Sequence, residues 1–270
     1  MKIAFVGAGS MAEAIIAGML SNNICPSENI YVTNRHNEEK MTKLRQKYGI
    51  SSTYDMKELL KDTSIIILAV KPKDANEVLE KIRTYIRNDV LIVSVMAGIS
   101  IEQMKDKLGM DCAIARAMPN TSASVGLSAT ALVFNNIVTE EQRSVATDIF
   151  SSIGMTTIVE EHQLDIVTGL SGSGPAYIYY IVEAMEQAAI ENGLDKSVAK
   201  ALIIQTLSGA AEMLKSSGKE PAKLRENVTS PGGTTEAGLH VLDELGVGQA
   251  FIKCIEAATN KSRHLGHSKI

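Results

Sequence analysis

Short apolar runs alternate with longer amphipathic stretches along the first half of the chain. Residues 2–6 form a short apolar run that ends at a glycine. Residues 64–70 carry Ile65, Ile66, Ile67 and Leu68 in succession, and residues 90–95 repeat the pattern. Unbroken runs of this length predict strands buried on both faces, as in a parallel sheet. Further strands are expected at residues 30–33, 113–118 and 129–134. Between them apolar positions recur at helical spacing over residues 11–20, 75–86, 101–108 and 140–153. Residues 38–48 are so charged that they read as a surface helix. The alternation implies a doubly wound α/β sheet of the Rossmann type.

From about residue 164 the pattern changes, and no strand is expected. Pro175 suits the first turn of a helix, where its missing N–H leaves nothing unpaired. That helix runs to Asn192 and stops near Gly193, with Ile178, Ile181, Val182, Met185 and Ala189 recurring at helical spacing. The next helix, over residues 196–215, is apolar around much of its circumference: Ala199, Leu202, Ile203, Ile204, Leu207 and Leu214 leave little polar face. Such a helix is expected to be buried on most sides. Shorter helices follow near 222–227, 234–245 and 248–265. A few helices cannot enclose this much apolar surface, so association with a second copy is expected. The expected division is a dinucleotide-binding domain at 1–160 and an all-α domain for substrate and dimerisation at 161–270.

Composition narrows the partners. The 270 residues hold 27 Lys plus Arg against 31 Asp plus Glu, a formal net charge of −4, with no block of like charge. Nucleic acid is not expected as a partner. Cys25, Cys112 and Cys254 are far apart and form no CxxC pair, and the histidines are scattered, so neither disulfides nor a metal site is expected. No run approaches ~18 apolar residues, so no membrane span is expected. The apolar start is short and broken by Gly7, Gly9 and Glu13, unlike a signal peptide. A cytoplasmic protein is the expectation.

The first candidate chemistry is Gly7-Ala8-Gly9-Ser10-Met11-Ala12, a GxGxxA pattern between a strand and a helix. In that setting it is a dinucleotide fingerprint. Gly7 permits the tight turn, Gly9 lets backbone approach a pyrophosphate, and Ala12 lets helix pack on strand. The free amides at the helix start then face the phosphates. At the end of the second strand an enzyme using NADH usually places an acidic residue against the ribose. Here stand Asn34 and Arg35. Neither repels a 2′-phosphate and Arg35 is suited to pairing with one, so NADPH is favoured while NADH stays open. Ala69, Val70, Lys71 and Pro72 close the third long strand, and Ala97 and Gly98 follow the next. Ligands of open α/β sheets lie beyond such carboxyl ends, so these segments should line the nicotinamide side.

Two further segments combine glycine with hydroxyls. Residues 169–177 read GLSGSGPAY and lead into the first long helix, and residues 228–235 read VTSPGGTT and lead into another. Taken singly, each is an ordinary helix connection; behind a dinucleotide domain, the backbone amides of the second make an anion site suited to a carboxylate. Together with Arg116-Ala117-Met118-Pro119-Asn120-Thr121 these segments resemble, in order and over most of the chain, the pyrroline-5-carboxylate reductases. Ser122 departs from the proline many members have there, and Met56 from an asparagine that some carry. The resemblance implies a Rossmann domain followed by a helical domain that interleaves with its partner in a homodimer or larger assembly. It implies reduction of the cyclic imine L-1-pyrroline-5-carboxylate to L-proline. It places Thr235 against the substrate, with Ser230 and Val228 as further loop contacts and amides near Gly232, Gly233, Thr234 and Thr235 holding the carboxylate. A protonated imine is already electrophilic, so little acid–base machinery is needed beyond a hydrogen bond to the nitrogen, within reach of Thr235.

Two other classes share parts of this pattern. β-Hydroxyacid dehydrogenases share the glycines 169, 172 and 174, then carry a lysine and an asparagine at positions held here by Ile178 and Val182. Alcohol oxidation requires a proton acceptor, and that helix face offers none. A non-catalytic dinucleotide sensor would have no need of residues 228–235.

Overall fold

The computed structural model describes residues 1–267, so the last three residues of the expected helical region lie outside it. The chain forms two compact units, Met1–Pro175 together with the end of the chain from Glu256, and Ala176–Ile255.

The first unit runs β1 (Ile3–Val6), α1 (Ser10–Ser21), β2 (Ile30–Thr33), α2 (Glu38–Tyr48), β3 (Ser51–Ser52), α3 (Met56–Leu60), β4 (Ile65–Leu68), α4 (Ala75–Ile82), β5 (Leu91–Ser94), α5 (Ile101–Leu108), β6 (Ala113–Met118), β7 (Ser128–Phe134), α6 (Glu140–Ser151), β8 (Gly154–Ile158) and α7 (Leu164–Val167). The strands form one sheet in the order β3-β2-β1-β4-β5-β6-β7-β8. Strands β1 to β6 are parallel, with Ile3 level with both Ile30 and Ile65. β7 pairs antiparallel to β6, and β8 runs parallel to β7. Every residue of β1, β4, β5 and β6 is buried, as unbroken apolar runs require when helices cover both faces.

Period-two alternation divides the core. Ile3 and Phe5 face one side with Ile15, Ile16, Ile149 and Phe150, while Ala4 and Val6 face the other with Leu79, Ile82 and Met104. Each of these side chains larger than alanine contributes roughly 1.5–3 kcal/mol by leaving water. The cores pin β1 and β4, and the chain reverses its direction of winding between them. In this topology the ligand crevice opens there, beyond the strand ends.

Several expectations change. The helix expected over residues 75–86 stops at Ile82. β3, α3 and β8 are additional to the elements the pattern predicts. Residues 169–172 are not a loop: a π-helical turn spans Thr168–Gly172, closed by Ser173 N–H to Thr168 O at 2.9 Å. Its hydroxyls do not cap a loop. Thr168 Oγ1 donates to Leu164 O at 2.7 Å and Ser171 Oγ to Val167 O at 3.2 Å, so both hydroxyls are satisfied within the helix by carbonyls four residues back.

The second unit is helical: α8 (Gly174–Glu191, from Ala176 onward), α9 (Lys196–Ser216), α10 (Pro221–Asn227), α11 (Thr234–Glu244) and the start of α12 (Val247–His267). Asp195 caps α9 through Ser197 and Val198. The burial expected of α9 is absent within a single chain. Only Ala199 and Ile203 are buried, while Leu202 is 57% exposed and Ile204 51%. α8, α10 and α11 hold no buried residue, and Tyr180 and Leu245 are about three-quarters exposed, at 76% and 74%. A helical unit that leaves so many large apolar side chains in water is incomplete as a monomer.

Candidate functional site

In the first unit the fingerprint turn is built by close backbone approach. Gly7 lies at φ +114, with its N–H bonded to Thr33 O at 2.9 Å. A Cβ at Gly7 would lie 2.6 Å from the carbonyl carbon of Ala69, nearer still to its oxygen, and 3.1 Å from Val70 N. Only glycine fits there. Gly9 differs: its φ is −75, and a Cβ would meet no atom of the protein within 4 Å. The protein leaves that space open beside the start of α1. Gly9 is the N-cap residue, with no side chain to satisfy the first-turn amides. Backbone without a Cβ, beside orphan amides at the positive end of a 12-residue helix, fits a pyrophosphate.

The other expected cofactor residues gather at the same edge. Ala69 N–H bonds Val6 O at 2.9 Å and Val95 N–H bonds Leu68 O at 3.1 Å, so the ladder continues into the segments that follow β4 and β5. Lys71 is exposed and precedes the 3₁₀ turn Pro72–Asp74. Ala97 and Gly98 follow β5, and Gly98 sits at φ +76. Asn34 is committed to its own loop: its Oδ1 accepts from Asn37 N–H and its Nδ2 donates to Asn37 O, both at 2.7 Å. Arg35, expected to be available for a phosphate, is held by Glu77 at 2.8 Å and lies 3.7 Å from Asp74.

Two contacts in this unit were not foreseen. Asn120 is nearly buried, and its Nδ2 donates to Ser171 O at 3.1 Å, joining the MPNT and SGSGPAY segments. Arg116 is buried and donates to Glu161 Oε1 at 3.0 Å; the same oxygen accepts Ile101 N–H at 2.7 Å. That carboxylate therefore fixes the start of α5, just beyond Gly98. The one signal for either in the sequence is their place in RAMPNT. Asp165 accepts from Ser262 Oγ at 2.7 Å, which ties it to the end of α12, and Glu183 is exposed. Burial pushes the Cys25 and Cys112 thiols up, as for packing residues.

In the second unit, Val228, Ser230, Gly232, Gly233, Thr234 and Thr235 form one turn leading into α11. Gly232 takes φ +72, and Gly233 N–H closes the turn on Ser230 O at 2.9 Å. Glu236 reaches back to accept Gly232 N–H at 2.7 Å. The amides of Gly232 and Gly233 are thus engaged. Those of Thr234 and Thr235 are the ones a helix start leaves without an internal acceptor. The Thr235 side chain is exposed, and among the described residues no protein group bonds its hydroxyl.

A doubly wound sheet with a strand–GxGxxA–helix crevice, followed by helices, places the chain in the dinucleotide-binding class. Comparison sharpens the class. Residues 2–98 match the family of NADP oxidoreductases, coenzyme F420-dependent, and residues 161–265 match the pyrroline-5-carboxylate reductase dimerisation domain. Pyrroline-5-carboxylate reductase 2 of Bacillus subtilis is 48% identical over 264 residues, covering 98% of this chain and 95% of that one. The structure of a pyrroline-5-carboxylate reductase from Coxiella burnetii superposes with a TM-score of 0.90 at 37% identity, covering 100% and 99% of the two chains. The Plasmodium falciparum pyrroline carboxylate reductase with NADP bound superposes at 0.89, with 32% identity and 98% of both chains covered. This chain belongs to the pyrroline-5-carboxylate reductase family. Among the described residues no helix is long and apolar enough to cross a membrane.

Proposed function

We propose that this protein reduces L-1-pyrroline-5-carboxylate to L-proline at the expense of NADPH, as a homodimer or larger homo-oligomer in the cytoplasm. The observation that carries the reading is that a chain of this family keeps both halves of the machinery, the open Gly9 cradle and the turn at residues 228–235. Residues 1–160 hold the dinucleotide and residues 161–270 serve substrate and assembly.

Gly7, Ala8, Gly9, Ser10 and Met11 hold the pyrophosphate, and Asn34 and Arg35 border the ribose. Ala69, Val70, Lys71, Pro72, Ala97 and Gly98 border the nicotinamide half. When bound, the reduced nicotinamide supplies the hydride. The imine binds protonated, so its N–H donates to the Thr235 hydroxyl oxygen and hydride addition gives the neutral amine directly, while the Thr234 and Thr235 amides hold the carboxylate on the neighbouring ring carbon. Gly232 and Gly233 shape that turn, Ser230 closes it and Val228 offers an apolar wall. Binding both groups through one turn orients the C=N bond without a separate proton donor. NADPH fits Arg35 better than NADH does, because only NADPH carries the 2′-phosphate that a guanidinium pairs with.

The assay follows NADPH absorbance with purified protein and L-pyrroline-5-carboxylate, then repeats it with NADH. Turnover to proline, faster with NADPH at low nucleotide concentration, is expected. Folded protein that binds NADPH and leaves the imine untouched would overturn the assignment.

A further inference from the structure

Arg35 follows β2, whereas Asp74 and Glu77 follow β4, and β1 lies between those strands with the Gly7–Gly9 turn at its end. The ion pair therefore links the segments flanking the expected dinucleotide cradle. Arg35 Nη2 stands 2.8 Å from Glu77 Oε2 and Nη1 3.7 Å from Asp74 Oδ1. The second Glu77 oxygen accepts from Lys81 Nζ at 2.6 Å. That hydrogen bond, with the charge of Arg35, holds the Glu77 carboxyl below its usual range, so it is ionised at neutral pH. The Arg35 side chain is 64% exposed and Asp74 30%, so the pair is open to an incoming anion.

We propose that Glu77, aided by Asp74, sets the preference between NADPH and NADH by competing with the 2′-phosphate for Arg35. The proposal rests on the reading that Arg35 meets that phosphate. An exposed carboxylate–guanidinium pair is weak, while a dianionic phosphate pairs strongly with a guanidinium fork, so exchange is feasible. The two carboxylates stay beside the arriving dianion and repel it. A nucleotide with a bare 2′-hydroxyl meets no such opposition. Glu77 thus lowers affinity for NADPH selectively and narrows the gap between the cofactors. Salt screens exposed charges, so the selectivity declines with ionic strength.

The test titrates full-length protein with NADPH and with NADH, reading nucleotide fluorescence or heat in the absence of substrate, at low and high salt. Glu77→Gln preserves shape and removes the charge. It should tighten NADPH roughly three- to tenfold at low salt, less at high salt, and leave NADH within about twofold. Arg35→Ala should weaken NADPH alone, and adding Glu77→Gln to it should recover only the share due to repulsion of the phosphate, a smaller gain than Glu77→Gln gives in the parent. Unchanged or weaker NADPH binding by Glu77→Gln, with Arg35→Ala still selective, would sink the competition while sparing the phosphate contact. Equal losses of both nucleotides in Arg35→Ala would remove the phosphate contact, and the competition with it.

Discussion

The two glycines of the fingerprint are required for opposite reasons, and alanine at each should separate folding from binding. At Gly7 a Cβ would press on backbone, 2.6 Å from the Ala69 carbonyl carbon and 3.1 Å from Val70 N, at a φ of +114. Neither atom can swing aside, because Ala69 N–H is bonded to Val6 O across the sheet. The positive φ costs an L-residue about 1–3 kcal/mol and the overpacking about another 1–3. Gly7→Ala should then lose about 2–6 kcal/mol, roughly 4–24 °C in Tm at about 2–4 °C per kcal/mol. At Gly9 the φ of −75 is ordinary and no protein atom lies within 4 Å of a Cβ. Gly9→Ala should change stability by no more than about 1 kcal/mol, the scale of a lesser N-cap. The added methyl fills the space assigned to the pyrophosphate. Keeping the phosphate off the amides should weaken nucleotide binding about 10- to 100-fold, or about 1.4–3 kcal/mol. Melting curves without nucleotide, and NADPH titrations on the variants that stay folded, measure both quantities. Gly9→Ala with the parental Tm and the parental NADPH affinity would refute the placement of the phosphates. A Gly7→Ala protein as stable as the parent would refute the steric argument.

Thr235 lies exposed in the first turn of α11 and caps nothing, so Thr235→Ala should leave Tm unchanged or slightly raised. Loss of its hydrogen bond should lower kcat about tenfold to a hundredfold, with Thr235→Ser retaining most activity; a wild-type kcat/KM in Thr235→Ala would remove the residue from the mechanism. Glu161→Ala leaves the buried Arg116 guanidinium without its carboxylate. It should cost about 1–3 kcal/mol in a thermal melt, less than a fully buried pair because Glu161 is partly solvated, with Arg116→Met milder. The Glu13 carboxyl is held below its usual range, first by its hydrogen bond to Lys47 and then by that to Lys40. Its stabilising share is therefore present above the usual carboxylate range and lost as acid titrates the folded form. The Tm difference between parent and Glu13→Gln should be visible at pH 7 and vanish in strong acid. Light scattering at assay concentration should find no monomer, given Tyr180, Leu202 and Leu245 in water in a single chain; an active monomer would contradict this.

Much of the architecture was legible because local pattern and burial agree. Runs such as Ile65–Leu68, short and largely β-branched, suit a strand covered on both faces, and their spacing with amphipathic helices leaves few topologies. The GxGxxA turn was legible for the same reason: its demands are on backbone geometry within a few residues. The segments at 169–177 and 228–235 were visible as composition, and their resemblance to one family carried the reading further. Other features depend on residues distant in sequence, and only the tertiary structure decided them. β3 has two serines, and β8 is an edge strand with Thr156 and Thr157 and no apolar alternation, so neither carries a local signal. The antiparallel entry of β7 is set by the return path of the chain, to which side-chain pattern is blind. Glycine and serine at 169–172 suggest a loop, yet they form a π turn in which Gly169 is buried and the hydroxyls bond back along the helix. Arg35 lies just past the end of β2, as its position in the sequence implies, but its ion pair with Glu77 spans 42 positions of sequence. Arg116 and Glu161 lie 45 apart. Charges meet wherever the fold brings them, and one strand or one turn holds no record of its distant partners.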